Sequence, residues 1–341
     1  MKGRTIALDH VNKTEAAALL VDGRLEDLFL DHDTPSPGTI YRAVAGRPVK
    51  GQGGMFVNTP DGPGFLRQVK GLSPGDSLLV QVTGHAEPGK AMPVTAKILF
   101  KSRHAIITPS APGINISRAI RDEEIRVSLL EIAHEEMAGR EMGLILRSSC
   151  AEAAADDIAH DIAQMRDLAT AVTGDASGEG TEKLLDGDSP HTLAWREWTD
   201  KADIVTDDGC FADLGILDQI DLLRDARVPL PGGACIYIEP TRALTAVDIN
   251  TGADTSPAAG LKANLAAARE LPRQLRLRGI GGQITLDLAP MNKKDRRQFE
   301  TALRAAFRSD TVETALVGWT PLGHYELQRK RDRISLNEFA I

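Results

Sequence analysis

Two aspartates stand at the ends of two short apolar runs in the last third of the 341-residue chain. Asp248 follows LTAV and Asp287 follows QITL, and both runs have the composition of β-strands. Alternate strand side chains share a face, so Asn250 lies on the side of Asp248. Two carboxylates on neighbouring strands favour one hard cation such as Mg²⁺, which keeps several waters. Such a water can attack a phosphodiester, with Asn250 orienting a carboxylate or the water.

Each aspartate also has a simpler alternative role, which is to cap the helix that follows it. A carboxylate at the end of an apolar strand is costly to bury unless water, a partner or a metal compensates it. That cost favours a metal for the pair more than for either aspartate alone. At this point the metal site and the two helix caps both remain open.

Four arginines, including Arg278, lie between the aspartates, in a stretch whose apolar spacing predicts a helix, LKANLAAARELPRQLRLRG. Arg269, Arg273 and Arg276 are spaced by four and three residues and therefore share one helix face. Such a row can hold nucleic-acid phosphates near the acids, and an ordinary solvated face is the alternative. Pro272 predicts a kink or the first turn of this helix.

Charge is distributed unevenly along the chain, whose formal net charge is -8. Lys262–Arg333 contains 15 Lys and Arg against 8 Asp and Glu, whereas acids concentrate in earlier stretches such as Asp200–Asp225. A uniformly acidic surface would repel a nucleic acid, so only this segregation allows one as a partner. A set of solvated helix faces would produce the same pattern.

The first hundred residues predict β-structure. Residues 4–32 contain two apolar runs around Asp22–Gly23, which is a hairpin signal. Residues 38–108 contain five short β-like runs broken by Gly, Pro and Asn, which indicates a small closed barrel. An OB-fold is the first choice, and a generic barrel without a ligand is the alternative.

The barrel region carries three candidate RNA contacts, although aromatic residues make up only 4% of the chain. Phe56 and Phe65 can stack on single-stranded bases if they lie on the barrel surface, and core packing is the alternative. Lys90 lies in a Pro-Gly-Lys turn, where its ammonium group can reach a phosphate.

Beyond the barrel, helices and strands alternate, which indicates an α/β architecture. We predict helices in the stretches 121–170 on either side of the strand GLILRSS, a mobile polar loop at 173–190, and helices at 191–202 and 212–226. The last part predicts four strands, two helices and a final helical segment, GHYELQRKRDR.

Three cysteines, Cys150, Cys210 and Cys235, have no paired spacing, so we expect neither structural zinc nor disulfides. The N-terminus lacks the apolar core of a signal peptide, and no run of about 18 apolar residues could span a membrane. We therefore expect a cytoplasmic protein with no membrane partner.

The stretch PLPGGACIYIEPTRALTAVDINTG, followed by NLAAARELPRQLRLRGIGGQITLDLAPM, resembles the catalytic half of the ribonuclease E/G family. The resemblance is continuous from about Arg227 to Leu288 and weaker elsewhere. It implies that Asp248 and Asp287 bind the catalytic Mg²⁺, with Mn²⁺ as a substitute, and that Asn250 assists. It also makes residues 38–108 similar to the family's OB-fold domain, the kind found in ribosomal protein S-one, with Phe56, Phe65 and Lys90 as RNA contacts.

The same resemblance implies a pocket for the 5′-monophosphate of the substrate. Arg147 and Ser148 match the family's arginine and adjoining hydroxyl residue, and Asn115–Arg118 matches a nearby loop that usually begins with Gly. Pro321 stands where the family has a second arginine. One guanidinium should hold a phosphate less well than two, so we expect weak sensing of the 5′ end.

The resemblance also implies an order of subdomains. Residues 1–37 and 190–230 would form an RNase H-like piece without an active site, shortened in this chain. An OB-fold at 38–108 and a 5′-sensor-like region at 109–189 would be inserted in it, and residues 231–341 would form a DNase I-like catalytic domain. The family's paired-cysteine zinc link is not found in the sequence, so we expect a monomer rather than a zinc-linked oligomer.

These observations together predict a Mg²⁺-dependent endoribonuclease for RNA processing or decay. It would cut single-stranded RNA and leave 5′-phosphate and 3′-hydroxyl ends. A non-catalytic RNA-binding regulator of the same fold is the main alternative, and a nuclease with DNA or broad specificity is another. Retention of Asp248, Asn250 and Asp287 argues against the regulator, because a pure binder has no need of an acid pair.

Overall fold

The structure is a computed structural model that describes residues 2–49, 51, 53–67, 71–87 and 89–338. Its internal contacts divide the chain into two units. The first unit combines residues 1–32 with residues 202–341, and the second consists of residues 33–201. Each unit has its own hydrophobic core clusters. Asp248 and Asp287 belong to the first unit, whereas the candidate RNA contacts of the barrel belong to the second.

The first unit begins with three antiparallel strands, β1 (Arg4–Val11), β2 (Thr14–Val21) and β3 (Arg24–Leu30). The predicted turn between the second and third is present at Asp22 and Gly23, which have φ values of 51° and 79°. Positive φ at both central residues is typical of a type I′ turn, and Gly accepts it because it lacks a Cβ. The hairpin prediction is therefore confirmed.

The second unit begins with five strands that form a barrel: β4 (Ile40–Val49), β5 (Gly54–Thr59), β6 (Gly62–Arg67), β7 (Ser77–Val82) and β8 (Met92–Thr95). The order is β4-β5-β6-β8-β7, and a further pairing of β4 with β7 closes the barrel. Only β6 and β8 pair in parallel. Tyr41, Met55 and Val80 fill the centre. The barrel is OB-like, as its five short strands predicted.

A second sheet and three helices follow the barrel. The elements are β9 (Phe100–Lys101), β10 (Ala105–Thr108), β11 (Gly113–Ile116), α1 (Glu123–Glu136), β12 (Gly143–Leu146), α2 (Ala155–Gly174), β13 (Glu182–Leu185) and α3 (Pro190–Glu197). The sheet has the order β11-β12-β10-β9. The side chain of Asp122 caps α1, and Ser189 caps α3, where Pro190 occupies the first turn. The helices predicted on either side of β12 are present.

The stretch predicted as a mobile loop, residues 173–190, contains a strand instead. In it, β13 pairs antiparallel with β4. The buried guanidinium of Arg42 donates to the carbonyl oxygens of Asp175, at 2.7 Å, and Gly180, at 3.1 Å, and forms an ion pair with Glu182. One distant arginine therefore fixes a Gly-rich segment whose composition alone indicates a loop.

The chain then returns to the first unit through β14 (Asp203–Val205), α4 (Cys210–Asp213) and α5 (Ile216–Leu222). β14 pairs in parallel with β1. The single helix predicted for residues 212–226 is wrong. Gly215 adopts a left-handed conformation, with a φ of 65°, and separates two short helices.

The remainder of the first unit is a six-stranded sheet with two helices: β15 (Arg227–Pro229), β16 (Cys235–Pro240), β17 (Thr245–Asn250), α6 (Ala259–Leu277), β18 (Gly282–Asp287), α7 (Arg296–Arg308), β19 (Thr314–Trp319) and β20 (Tyr325–Arg329). The order is β15-β16-β17-β18-β20-β19, and only β17 and β18 are parallel. Alternate strand residues such as Ile236, Val247 and Ile284 form a core with apolar residues of both helices. The opposite face of the sheet, called the open face below, carries polar residues.

Two predictions about this part need correction. The final segment is the strand β20, in which Tyr325, Leu327 and Arg329 are buried while Glu326 and Gln328 alternate with them. Its many charged residues suggested a helix, but buried and more exposed side chains alternate along it, as they do in a strand. The helix α6 continues through Pro272, which therefore does not mark its first turn. Neither α6 nor any other described helix is long and apolar enough to cross a membrane.

Candidate catalytic site

Asp248 and Asp287 lie directly opposite each other on the parallel strands β17 and β18. The strands hold them there because their neighbours Val247 and Leu286 point into the core. Neighbouring strands are about 4.8 Å apart, so the two charges face each other on the open face. Both side chains are exposed to solvent, and the burial cost invoked from the sequence does not apply. Repulsion between two adjacent carboxylates favours a bound cation instead.

Neither aspartate caps a helix, so that alternative is wrong. The helix α6 begins after Ala258, and α7 begins after Asp295, which makes no side-chain capping hydrogen bond. Asp248 and Asp287 precede these positions by several residues. Their side chains are therefore available for another role.

Asn250 is bonded to Asp248 in the way that the alternation of β17 predicts. Its Nδ2 donates a hydrogen bond to Oδ2 of Asp248 at 2.7 Å. Asn250 is itself exposed and lies two residues further along the open face. This bond fixes the orientation of one carboxylate and leaves its other oxygen for a ligand.

The segment that follows Asp287 in the chain is held by a residue that was not predicted from the sequence. Asn264 of α6 is fully buried, donates through Nδ2 to the carbonyl oxygen of Ala289 at 2.8 Å, and accepts from the Ala289 N–H at 3.0 Å. A Cβ at Gly260 would lie 1.9 Å from the carbonyl oxygen of Pro290, so only glycine allows this close approach. The available signal was an asparagine within the apolar stripe of α6.

The donors at this site fit a hard divalent cation. Among the described residues, no group of three or more His, Cys, Asp or Glu side chains could hold a metal ion. A site of two carboxylates, completed by water, is typical of Mg²⁺ and differs from the four-ligand sites of structural zinc. Cys150, Cys210 and Cys235 are free and buried.

Two of the three arginines predicted to hold phosphates are instead bonded to other residues of the first unit. Arg273 donates from Nε to the carbonyl oxygen of Leu25 at 2.7 Å and from Nη1 to Glu270 at 2.6 Å. Arg276 is buried and ion-pairs with Glu26, Asp27 and Asp310. We therefore remove both from the candidate RNA contacts. Arg269 is exposed and remains a prediction.

The ion pairs of Arg276 belong to a larger buried network. Asp310 also accepts from Arg329 on β20, and Arg333 approaches Asp27 to 3.4 Å. Arg329 is almost completely buried, and burial lowers the pKa of its guanidinium despite the neighbouring Asp310. Charges buried in this way stabilise a fold only while their partners are present. The network is a structural connection between β3, α6 and β20.

The two phenylalanines of the barrel lie outside its core. Phe56 on β5 and Phe65 on β6 are cross-strand neighbours whose rings meet edge to face, with centroids 5.4 Å apart. Phe56 is 45% exposed, and Phe65 is half-buried. A Cβ at Gly54 would lie 2.7 Å from the Phe65 ring, so glycine leaves room for that ring above the strand. Core packing is therefore not the explanation for this pair.

Lys90 is exposed at a turn after β7. Its ammonium group forms an ion pair with Glu87 at 2.6 Å, and its backbone N–H donates to the Glu87 carbonyl oxygen. Surface pairs of this kind contribute little, so the ammonium group can exchange this partner for a phosphate. The role of Lys90 remains a prediction.

Arg147, the predicted 5′-phosphate contact, already has a carboxylate partner. Its Nη2 bonds to Glu197 at 2.7 Å, and its Nη1 donates to the carbonyl oxygens of Ser102, at 2.7 Å, and Arg196. Burial would raise the pKa of Glu197, but Arg196 and Arg147 outweigh burial and lower it below its usual value. Glu197 is therefore charged near neutral pH and neutralises the guanidinium.

The other residues of the predicted 5′ pocket are more open. Ser148 is exposed and begins a short 3₁₀ turn immediately after Arg147. Asn115 is exposed on β11, and the Ser117 N–H donates to the carbonyl oxygen of Leu146 on the neighbouring strand. Pro321 lies exposed in the turn between β19 and β20, which belongs to the first unit.

Comparison with known proteins gives a consistent result. The profile of the Ribonuclease E/G family matches residues 100–208 and 194–332. The chain is 28% identical to a ribonuclease E of Synechocystis sp., over 96% of this chain and 57% of that protein. It is 26% identical to a ribonuclease G of Salmonella typhimurium, over 96% of this chain and 80% of that protein. A ribonuclease E of Nostoc sp. is 28% identical over 95% of this chain and 55% of its own length. The chain thus spans little more than half of the two ribonuclease E sequences.

Proposed function

Because the chain belongs to the ribonuclease E/G family, we propose that it is an endoribonuclease that hydrolyses single-stranded RNA at Asp248 and Asp287. The observation that carries this proposal is the register of β17 and β18, which sets the two exposed carboxylates opposite each other. The bond from Asn250 to Asp248 supports it, because an oriented carboxylate suits a metal site better than a mobile one.

In this proposal the two carboxylates hold one Mg²⁺, which Mn²⁺ can replace. The ion would stabilise the charge of the reacting phosphate and lower the pKa of an attacking water. Asp248 and Asp287 supply the negative charge that retains the ion, and Asn250 keeps the carboxylate of Asp248 in one orientation. Water would form a new bond to phosphorus while the bond from phosphorus to the 3′ oxygen breaks. The water loses a proton and the leaving 3′ oxygen gains one, which gives a 5′-phosphate and a 3′-hydroxyl.

We assign RNA binding to exposed groups of both units. Phe56 and Phe65 can stack on bases because one ring is open and the other supports it edge to face. Lys90 and Arg269 add positive charge from exposed positions. Stacking does not depend on base identity, so we propose a broad preference for unpaired RNA.

We further propose that cleavage depends only weakly on the 5′ end of the substrate. The guanidinium of Arg147 is neutralised by Glu197, and Pro321 cannot supply a second one. A phosphate would have to displace an internal carboxylate in order to bind there. Weak dependence on the 5′ phosphate follows from that competition.

The subdomain names remain part of the proposal. We assign residues 1–37 and 190–230 to an RNase H-like piece, 109–189 to a sensor-like region and 231–341 to a DNase I-like domain. We propose a role in RNA processing or decay. We place it in the cytoplasm because the three cysteines are free thiols, as is usual in a reducing compartment.

The test is cleavage of a 5′-labelled single-stranded RNA with Mg²⁺ or EDTA. Asp248→Asn and Asp287→Asn should each lower the rate by about three orders of magnitude, because several kcal/mol of transition-state stabilisation is lost. Glu239→Gln is the matched control, since it removes an exposed charge from β16. Thermal unfolding of each variant should match that of the parent protein.

The outcomes separate the alternatives. Cleavage that survives either substitution would refute the site assignment. Binding of RNA without any cleavage would favour a regulator of the same fold. Equal cleavage of single-stranded DNA would favour a broad-specificity nuclease.

A further inference from the structure

Tyr237 stands in the same row of the open face as the two carboxylates. On β16 it is directly opposite Asp248, which in turn is opposite Asp287 on β18. Its neighbours Ile236 and Ile238 belong to the core, so the phenol ring lies on the open side of the sheet. Opposed residues on antiparallel strands have Cβ atoms about 5 Å apart, which brings the ring beside the Asp248 carboxylate.

Core packing does not account for this ring. The chain has three tyrosines, and the other two, Tyr41 and Tyr325, are buried. Tyr41 also donates its hydroxyl to Asp61 at 2.6 Å. Tyr237 is partly exposed, and its hydroxyl has no hydrogen-bond partner among the described residues. An aromatic residue so placed is available to a ligand.

One of the two side chains of β17 that lie diagonal to Tyr237 is small. The two diagonal neighbours of Tyr237 on β17 are Ala246 and Asn250. Ala246 contributes only a methyl group, so no large side chain of β17 covers the ring on that side. Asn250 is occupied by its bond to Asp248. The side of Ala246 is therefore the one from which we expect a planar group such as a nucleobase to approach the ring.

The next position in the row is a cation. Arg227 on β15 is directly opposite Tyr237, is exposed, and forms no ion pair with any residue that the structure describes. Two strand spacings separate Arg227 from Asp248, which is about 10 Å along the sheet. From β15 to β18, the row thus consists of a cation, an aromatic ring and two carboxylates.

We propose that Tyr237 and Arg227 form a nucleotide subsite next to the cleavage site. A base that flanks the scissile phosphate stacks on Tyr237, and the following phosphate binds Arg227. The proposal rests on the proposed function, because the scissile phosphate is the one held near Asp248 and Asp287. Both residues position the RNA and fix where it is cut, and neither takes part in the chemistry.

The first test measures the contact in EDTA, where no hydrolysis is expected. Single-stranded RNA oligonucleotides carry 2-aminopurine at one position each, and its fluorescence falls when it stacks on an aromatic ring. The parent protein should quench one position through Tyr237, separate from any position that stacks on Phe56 or Phe65. Tyr237→Phe should retain that effect because it keeps the ring. Tyr237→Val keeps a strand-forming residue, should abolish the quenching, and should weaken binding roughly 5- to 100-fold. Gln328→Ala, on the same sheet, is the control.

The second test uses cleavage in Mg²⁺. Tyr237→Val should raise KM by about one order of magnitude or more with little change in kcat, since stacking holds substrate and transition state alike. It should also spread the cut positions, and Tyr237→Phe should restore the parent pattern. Arg227→Gln should reduce the slope of log affinity against log salt by about 0.7, the value for one phosphate contact with a single strand.

The failures are distinguishable. If Tyr237→Val leaves both the quenching and KM unchanged while the parent cleaves RNA, the subsite is refuted and the proposed function stands. If no cleavage occurs but quenching still depends on the ring, the nuclease assignment fails and the contact stands. A loss of thermal stability in Tyr237→Val without loss of quenching would also refute the subsite.

Discussion

The carboxamide of Asn264 makes both of its hydrogen bonds to one residue, Ala289. Nδ2 donates to the carbonyl oxygen at 2.8 Å, and Oδ1 accepts from the N–H at 3.0 Å. Ala289 follows Asp287 by two residues, and both Asn264 and Ala289 are buried. The helix α6 and the end of β18 are therefore held together, and the position of the Asp287 carboxylate depends on a side chain that never touches it.

Replacement of Asn264 by Leu should lower the free energy of unfolding by about 2–4 kcal/mol. The substitution leaves the buried N–H and carbonyl oxygen of Ala289 without partners, and such groups cost about 1–3 kcal/mol each. Urea unfolding measures the loss, and Asn292→Ala, at an exposed asparagine, is the control. A stability equal to that of the parent would mean that the two bonds are replaced by water.

Replacement of Asn250 by Ala should weaken Mg²⁺ binding about tenfold without unfolding the protein. The exposed side chain contributes little to packing, but its bond to Asp248 orients a proposed metal ligand. Loss of such a partner typically lowers metal affinity or activity about 10- to 100-fold. Cleavage rate against Mg²⁺ concentration measures the effect, and a high Mg²⁺ concentration should restore most of the rate. An unchanged Mg²⁺ dependence would remove Asn250 from the site.

Two arginines of α6 should behave in opposite ways. Arg276→Met breaks buried ion pairs with Asp27 and Asp310 and should lower stability by about 3–5 kcal/mol. Arg269→Gln, at an exposed position, should leave stability unchanged and reduce the salt slope of RNA binding by about 0.7. Urea unfolding and RNA titrations at several salt concentrations separate the two effects. A reduced salt slope for a folded Arg276→Met would restore that residue as an RNA contact.

The sequence predicted those features that local patterns determine. The barrel strands and the hairpin at Asp22–Gly23 follow from alternation and turn residues. The adjacency of Asp248 and Asp287 follows from two apolar strands joined by a helix, because such a connection produces parallel neighbours. The family resemblance added roles for these residues that no pattern could give.

Features that depend on contacts between residues far apart in the chain could not be predicted from the sequence. Arg276 and Glu26 are 250 positions apart, and nothing near either indicates that they pair. The strand β20 and the segment fixed by Arg42 were misassigned for a related reason. Each depends on a buried arginine, Arg329 for the strand and Arg42 for the segment, and local composition does not show that an arginine is buried. The oligomeric state and the RNA targets stay predictions.

The buried Asp9 should make stability depend on pH in the acid range. Burial would raise the pKa of this carboxyl, but N–H groups of Phe211, His10 and Gly209 donate to it and lower the pKa below its usual value of 3.8. Its contribution is therefore complete above the unfolded pKa and is lost as the pH falls through the folded pKa. Asp9→Asn should lower stability at pH 7 by about 1–3 kcal/mol and flatten the fall of stability as the pH drops from 7 to below 3.8. Urea unfolding across that range measures both, and parallel curves would contradict the prediction.

Release of Arg147 from Glu197 should strengthen the response to the 5′ end. Glu197 occupies the guanidinium at 2.7 Å, so Glu197→Gln removes a charge with which a substrate phosphate must compete. We expect the preference for 5′-monophosphorylated over 5′-hydroxyl RNA to rise about tenfold, as one added charge-assisted hydrogen bond would give. Competition between the two RNAs in one reaction measures the ratio, and Arg147→Gln in the same background should cancel the gain. An unchanged preference in a stably folded Glu197→Gln would mean that Arg147 serves only to connect α3 with the sheet behind it.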